Sequence, residues 1–472
     1  MEGRRLKPKK TPSSLEKVEA ILANPALYEL AAAIPEPRKG GRQRDYPAFM
    51  ILVFNSLLSV WRSGRQVEAE LSHPVVWNHM RRIVSERFPN DPSMHLPKRP
   101  MRRHHYVYAR DRYLTDPKIL EQLGALHRQL AAAQAREVGL LDPKGRGSYT
   151  HPDLSRVLHA DGKVVTPLFK AKPGEFRVDA ETGEVLPIRF EADAALHFEG
   201  TGEAAWGTKF VMVATRSEIG RLILDIDRVP DPGSEAKVAV SCFERLAPHV
   251  PGAQAIVYDT ALRGVHHQKI LRELGIVPVN MVAAAEVFGS RKLKRKIARR
   301  EKTVHVEDKD ITLADGTSAT LRLFSRAGAI GLMRPTESGE LQFQPLTRIR
   351  THRIKDGNSL FRWYNDYRLP EHLGAGQITV RLHQDDEDRA RKFNRTENVR
   401  PIPPSDSDFP RLYGRRNDSE SLNRSLEDTL FLGRAHSLGA SRQQVEMLGW
   451  ALMVNALTLA RHRAAEDIPA AA

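Results

Sequence analysis

The chain has 472 residues, with 73 Lys and Arg against 58 Asp and Glu, a formal net charge of +15 and a sequence pI of about 9.8. The length accommodates two or three domains with a substantial core, and the cationic excess favours polyanions, above all nucleic acid, through phosphate contacts and counterion release. Cys242 is the single cysteine, which excludes an internal disulfide and a cysteine-rich zinc module and fits a reducing, intracellular setting.

Residues 1–12 read as a basic, Pro-containing arm expected to be disordered, and no signal-peptide apolar core follows MEGRRLKPKK. Ser13-Ser14-Leu15-Glu16 has capping-box spacing and opens a helical pattern. YPAFMILVFNSLLSVW, from Tyr46 to Trp61, is short for a bilayer span and contains Asn55 and Ser56. It reads as a buried helix of a soluble domain, and no membrane partner is expected. Helical periodicity returns at 65–84 and 117–138, so residues 1–140 are expected to form an all-helical domain. Segment 65–84 has the look of a helix pair broken at Ser72-His73-Pro74, either a DNA-binding helix-turn-helix or an ordinary pair.

The pattern changes near residue 155. SRVLHADGKVV (155–165) reads as strand, Asp-Gly turn, strand; 207–217 and 221–229 read as further strands. An amphipathic helix is expected at 234–250, a strand at 253–262, a helix stopped by Gly275 at 265–275, and a strand at 276–282. Three strands, helix, strand, helix, strand describes a mixed α/β sheet with helices on its faces over 150–284. Sites in such sheets gather at carboxyl ends of strands, where Asp161 and Asp259 are expected. Residues 285–405 read as a β-rich insertion. It opens with SRKLKRKIARREK (290–302), in which eight of thirteen residues are basic. This run is the best phosphate-binding candidate, through Arg291, Lys292, Lys294, Arg295, Lys296, Arg299 and Arg300; its plain alternative is a solvated basic helix. Residues 406–472 are expected to add C-terminal helices, the last at 441–463.

Three acids stand out: Asp161 in VLHADG, Asp259 in IVYDTALRG, and Glu420 in YGRRNDSESLNRSLED. Each also has a local explanation. Asp161 is a turn residue before Gly162, Asp259 a turn cap, and Glu420 the third residue after an Asn417 cap. Against the last, Tyr413, Arg416, Asn417, Glu420, Arg424 and Glu427 follow one helical stripe, with Leu422, Leu426 and Leu430 opposite. Asp225 and Asp227 share a strand face and read as salt-bridged structural acids. The paired histidines 104–105 and 266–267 do not form a metal cluster. Trp206 reads as core, and Trp363, in FRWYNDYR, as a candidate DNA contact. Paired-carboxylate glycoside hydrolysis fits the charge poorly.

Strand order, acids and C-terminal motif resemble the IS4-type DDE transposases of the RNase H-like, retroviral-integrase superfamily. That group's motif is Tyr, two residues, Arg, three residues, Glu, six residues, Lys. Tyr413, Arg416 and Glu420 match in register, whereas the Lys position holds Glu427, with Arg424 one turn earlier as a substitute charge. The resemblance covers about 150–460 and implies a DNA transposase with an RNase H-like sheet. Asp161, Asp259 and Glu420 would bind two Mg²⁺ or Mn²⁺ ions, a number suited to phosphodiester chemistry. Tyr413 and Arg416, with Arg424, would hold phosphates. It further implies double-stranded DNA partners (terminal inverted repeats and target), a homodimer on DNA, and a cytoplasmic, nucleoid-associated location in a bacterium. A catalytically inactive DNA-binding derivative and a structure-specific nuclease on the same fold are the alternatives.

Overall fold

The computed structural model describes residues 11–37, 43–198, 204–283, 285–288, 295–298, 300–313 and 315–466, with backbone alone at 285–288 and 295–298. Helix α1 (Ser14–Ala23) starts as its sequence dictates. Ser13 Oγ accepts from the Glu16 amide at 3.2 Å, and the Glu16 carboxylate accepts from the Ser13 amide at 2.5 Å. It is followed by α2 (Pro25–Ala32), α3 (Phe49–Trp61), α4 (Gly64–Ser72), α5 (Pro74–Arg87), α6 (Arg103–Ala109) and α7 (Pro117–Glu137). The expected break between α4 and α5 falls at His73, where Pro74 supplies the first helical residue of α5.

Helix α3 is buried along nearly its whole length because it is wrapped by other helices, including the last of the chain. Its polar residue is accounted for. Asn55 donates to the Val445 carbonyl at 2.6 Å and accepts from the Tyr106 hydroxyl at 2.7 Å. Opposite it stands Gly449, where a Cβ would meet Asn55 Nδ2 at 2.5 Å, so the two helices approach at a point only glycine allows. The N-terminal helices therefore share one apolar cluster with the C-terminal helix and one face of the sheet.

The central sheet has strands β1 (Val157–Val165), β2 (Ala204–Arg216), β3 (Arg221–Val229), β4 (Ala255–Val257) and β5 (Val277–Val279). Their lateral order is 3-2-1-4-5, with β2 antiparallel to β1 and β3, and β4 parallel to β1 and β5. Helix α8 (Glu235–Leu246) follows β3, and α9 (Gly264–Lys269) follows β4 and continues as a π-helical turn to Leu274. Gly275 ends it at φ 63°, a left-handed conformation that costs glycine little. Alternation sends Phe210, Met212 and Ala214 of β2 toward α3 and the last helix. Val211 and Val213 point toward α7 and α8.

Two expectations about this sheet are corrected. Asp161-Gly162 is not a turn: β1 runs unbroken through it and pairs with β2 from His159 to Val165. Gly162 serves contact instead, since a Cβ there would lie 2.6 Å from Glu235 Cδ and 2.8 Å from Lys209 Cε. The strand expected over 253–262 is only three residues long, and Asp259 lies in the loop beyond it. Between β1 and β2 the chain also makes a small hairpin (Phe176–Val178 with Val185–Pro187) and an added strand (Ala195–Phe198) that its sequence did not announce.

The insertion is β-rich. Strands 285–288 and 295–298 pair, a four-stranded sheet spans Val304 to Pro345, and a three-stranded one spans Thr347 to Arg381. Short helices α10 (Asp386–Ala390) and α11 (Arg395–Asn398) close it around a buried ion pair, Asp388 with Arg395 (2.7 Å). Trp363 is fully buried here and its indole N–H donates to the Leu271 carbonyl at 2.6 Å. It anchors the insertion to the helical turn after α9 and is not free to contact DNA. Trp206 is half-buried, with Lys172 Nζ 5.9 Å from its ring, rather than a core residue. The chain ends with α12 (Phe409–Tyr413), α13 (Arg415–Leu426) and α14 (Ala440–Glu466). Among the described residues no helix is long and apolar enough to cross a membrane.

Candidate active site

The site begins with register. Strands β1 and β4 run parallel with His159 opposite Val257. Two residues further along each chain come Asp161, still in β1, and Asp259, in the loop after β4, close enough for the charge of Asp259 to act on Asp161. Only three residues of β4 are in the ladder, so both acids stand where the parallel pairing has just ended. The loop of Asp259 is held from below. Asn280, just past β5, donates to the Asp259 carbonyl at 3.0 Å and to that of Leu262 at 2.8 Å, and buried His267 lies 2.8 Å from its Oδ1. The Asp259 carboxylate accepts from the Ala261 amide at 2.8 Å.

Both carboxyls are shifted upward. Asp161 is pushed to about 7, chiefly by burial, then by the charges of Asp259 and Glu235, against the opposing pull of the Gly162 amide and Arg416. Asp259 is raised by burial and by Glu235, against its amide hydrogen bond, Arg416 and Lys209. Glu235 comes from the first turn of α8, on the opposite face of the sheet. It accepts from the Tyr258 hydroxyl at 2.8 Å, pairs with Lys209 and packs on Gly162. Three acids thus crowd one end of the sheet, with Lys209 and Arg416 in partial compensation.

Helix α13 covers the Asp161 face. It is fixed by a buried link, Ser419 Oγ lying 2.8 Å from His159 Nδ1, and by Asp418, which pairs with Arg216 and with Arg415 (2.9 Å). Burial pushes His159 down to about 3, so it is a neutral strut. Leu422 and Leu426 are buried as their stripe predicted. The helix starts at Arg415 without a side-chain cap, so Asn417 and Glu420 are interior residues and the capping explanation of Glu420 fails.

Of the residues singled out in the motif, Tyr413 is half-buried, stacked on Phe409 at 4.8 Å, and feels the charges of Arg416, Asp259, Arg300 and Glu420. Arg416 lies between the groups, pairing with Glu420 and acting on both aspartates. Glu420 itself has a side chain 54% exposed and engages Arg416. The α13 residue that touches Asp161 is Asn423, whose Nδ2 donates to Asp161 Oδ2 at 2.9 Å. Its Oδ1 is buried without a partner. Arg424 is exposed and 3.5 Å from Asp428. Glu427 pairs with Lys163 at 3.2 Å, so the two residues after Gly162 on β1 include the cation facing the motif's fourth position.

Arg300 donates to the Val282 carbonyl at 2.8 Å, near enough for its charge to act on Tyr413. Arg295 and Lys296 lie on the 295–298 strand, whose side chains are outside the described residues, as are Arg291, Lys292, Lys294 and Arg299. Asp225 and Asp227 are tied to Arg245 at 3.2 and 2.7 Å, and Asp225 also to Arg128. They take the structural part expected of them.

Glu235, Lys209, Tyr258 and Asn423 were not singled out from sequence. Asn423 carried a signal, standing three residues after Glu420 on the same helical face. Glu235 carried none beyond being an acid in the first turn of a helix. Among the described residues, no group of three or more His, Cys, Asp or Glu is placed to hold a metal ion. Asp161 and Asp259 nonetheless fit one. They are hard-oxygen donors, the charge of Asp259 helps raise Asp161, a divalent cation would relieve that crowding, and the amide of Asn423, which contacts Asp161 through its nitrogen, has an orphaned oxygen.

No protein-family model matches the chain, and no curated protein matches it. Among solved structures, the piggyBac transposase synaptic complex with hairpin DNA is similar at 10% sequence identity and a TM-score of 0.28, covering 98% of this chain and 83% of that one. A likeness that faint assigns neither fold nor activity.

Proposed function

We propose that this chain is a DNA transposase of the DDE type, built on an RNase H-like sheet, that cuts phosphodiesters at element ends and joins them to target DNA. The reading is supported by the 3-2-1-4-5 strand order with β2 antiparallel. The observation that carries it is the pair Asp161 and Asp259, both half-buried and within the reach of Arg416, with both carboxyls raised chiefly by burial and Asp161 also by the charge of Asp259. Carboxyls brought together and raised by burial, one within β1 just past its parallel pairing and one just beyond β4, cost stability unless a cation joins them.

Asp161 and Asp259 would hold Mg²⁺ or Mn²⁺, with Glu420 as third acid once Arg416 turns to a phosphate. Bound there, two divalent ions supply Lewis acidity and in-line alignment. Arg416 presents a rigid fork of donors to a phosphate, and Tyr413 a hydroxyl beside it. Arg300 and Arg424 would extend the phosphate track on either side. Glu235 and Lys209 brace the floor. Two copies would pair on DNA, since joining acts on two ends.

The Arg416–Glu420 pair favours a second reading, a DNA-binding derivative without catalysis. Metal-dependent cleavage of a duplex carrying the element's terminal repeat separates them. The purified chain should cut it with Mg²⁺ or Mn²⁺, and Asp259→Asn should abolish cutting while DNA binding persists. Cutting by the variant, or none by the native chain, sinks the catalytic proposal.

A further inference from the structure

A second basic feature lies away from the acids. Where α4 and α6 meet the excursion after β1 and the segment after α13, the surface folds into a cavity of about 510 Å³. Arg65, Arg103, Arg189 and Arg434 stand exposed on its wall. Among the described residues none of the four has a carboxylate partner. Two deeper arginines are satisfied. Arg110 holds Asp111 at 2.8 Å and Glu446 at 3.5 Å, and Arg442 holds Asp111 at 2.9 Å. Glu446 is the only acid on the lining among the described residues.

The contrast matters. The inner arginines belong to a network with Asp111 and Glu446, whereas the outer four hold like charges around one opening with no carboxylate partner among the described residues. Such an arrangement is repulsive until an anion enters, and guanidinium forks match phosphate oxygens geometrically. Three of the four come from parts of the chain far apart in sequence, so their convergence is a product of folding.

The cavity is also positioned relative to the acids. The Ala435 amide donates to the Thr166 carbonyl at 2.8 Å, which pins the Arg434 segment to the exit of β1. Leu168, on the lining, is seven residues past Asp161. At about 3.3 Å per residue that is at most roughly 23 Å of extended chain, less than the roughly 34–36 Å of one duplex turn. The near wall of the cavity therefore lies within one duplex turn of Asp161.

We propose that Arg65, Arg103, Arg189 and Arg434 form a second anchoring site for the phosphodiester backbone of DNA, separate from the acid pair. The identity of the partner rests on the function proposed above; the anion chemistry does not.

The experiment compares the full chain with the variant Arg65→Gln/Arg103→Gln/Arg189→Gln/Arg434→Gln, measuring duplex-DNA affinity against salt concentration and, separately, inorganic phosphate binding by calorimetry. Each lost contact should make the slope of log affinity against log salt shallower by about 0.9, a total of about 2 to 4. The corresponding Arg→Lys variant should keep most of the slope. An unchanged slope overturns the proposal. So does a variant that loses phosphate binding while its DNA slope is intact, because the cavity then takes small anions. Should the quadruple variant fail to fold, Arg65→Gln/Arg189→Gln should show about half the effect by the same relation. Cleavage by the native chain tests the catalytic reading independently: a shallower slope with no cleavage upholds this site and sinks that reading.

Discussion

Asn423 Nδ2 donates to Asp161 Oδ2 at 2.9 Å, joining α13 to the central strand at the most strongly perturbed carboxyl of the proposed site. The other end of the same amide is buried without a partner. Asn423 therefore aligns Asp161 through its amide nitrogen. Asn423→Ala should lower cleavage by about tenfold, the loss expected for one hydrogen bond of about 1.4 kcal/mol, with circular dichroism unchanged. Single-turnover cleavage measured across Mn²⁺ concentration would check it, and a wild-type rate would remove Asn423 from the site.

The Asp161 carboxyl imposes a pH dependence. Unfolded, it ionises at about 3.9; folded, it holds its proton to about 7. Between these values the folded state binds the extra proton. Its contribution to stability is full below about pH 4 and is lost as pH rises through about 7. Asp161→Asn should consequently raise the metal-free melting temperature at pH 8 and leave it nearly unchanged at pH 4. Thermal melts in chelator at both pH values would decide; an equal shift at each refutes the crowding of acids.

Gly162 is constrained by contact rather than by backbone conformation. A methyl group there would strike Glu235 and Lys209, which are tied to each other, Glu235 also accepting from the Tyr258 hydroxyl. Gly162→Ala should destabilise the chain by roughly 1–3 kcal/mol, read by urea unfolding, because that network has no slack. Gly162→Ala in a Glu235→Ala background should recover part of the loss.

Trp363 offers a test of the corrected assignment. A fully buried indole bonded to a backbone carbonyl predicts a cost of about 3–5 kcal/mol for Trp363→Ala. DNA affinity of the remaining folded fraction should be unchanged. Weak DNA binding with native stability would return Trp363 to the interface.

Much of this was legible in the chain itself. The capping box at Ser13, the apolar α3, the glycine stop at 275 and the strand–helix alternation all follow from local rules, and each was found where expected. The Asp-Gly pair misled because a turn signal and a close-packing signal use the same residue, and only the arrival of Glu235 distinguishes them. Trp363 misled because polar neighbours in a strand are compatible with a buried face.

Sequence alone determined which residues carry the chemistry worth examining and which faces of each element are apolar, since periodicity is written along the chain. It did not determine which faces meet. The lateral order of strands, the alignment of His159 with Val257 and the rotation of α13 on β1 set Asp161 beside Asp259, and turned Asn423 rather than Glu420 toward them. Those are long-range pairings, chosen by the burial of whole surfaces against one another, and no local pattern records them.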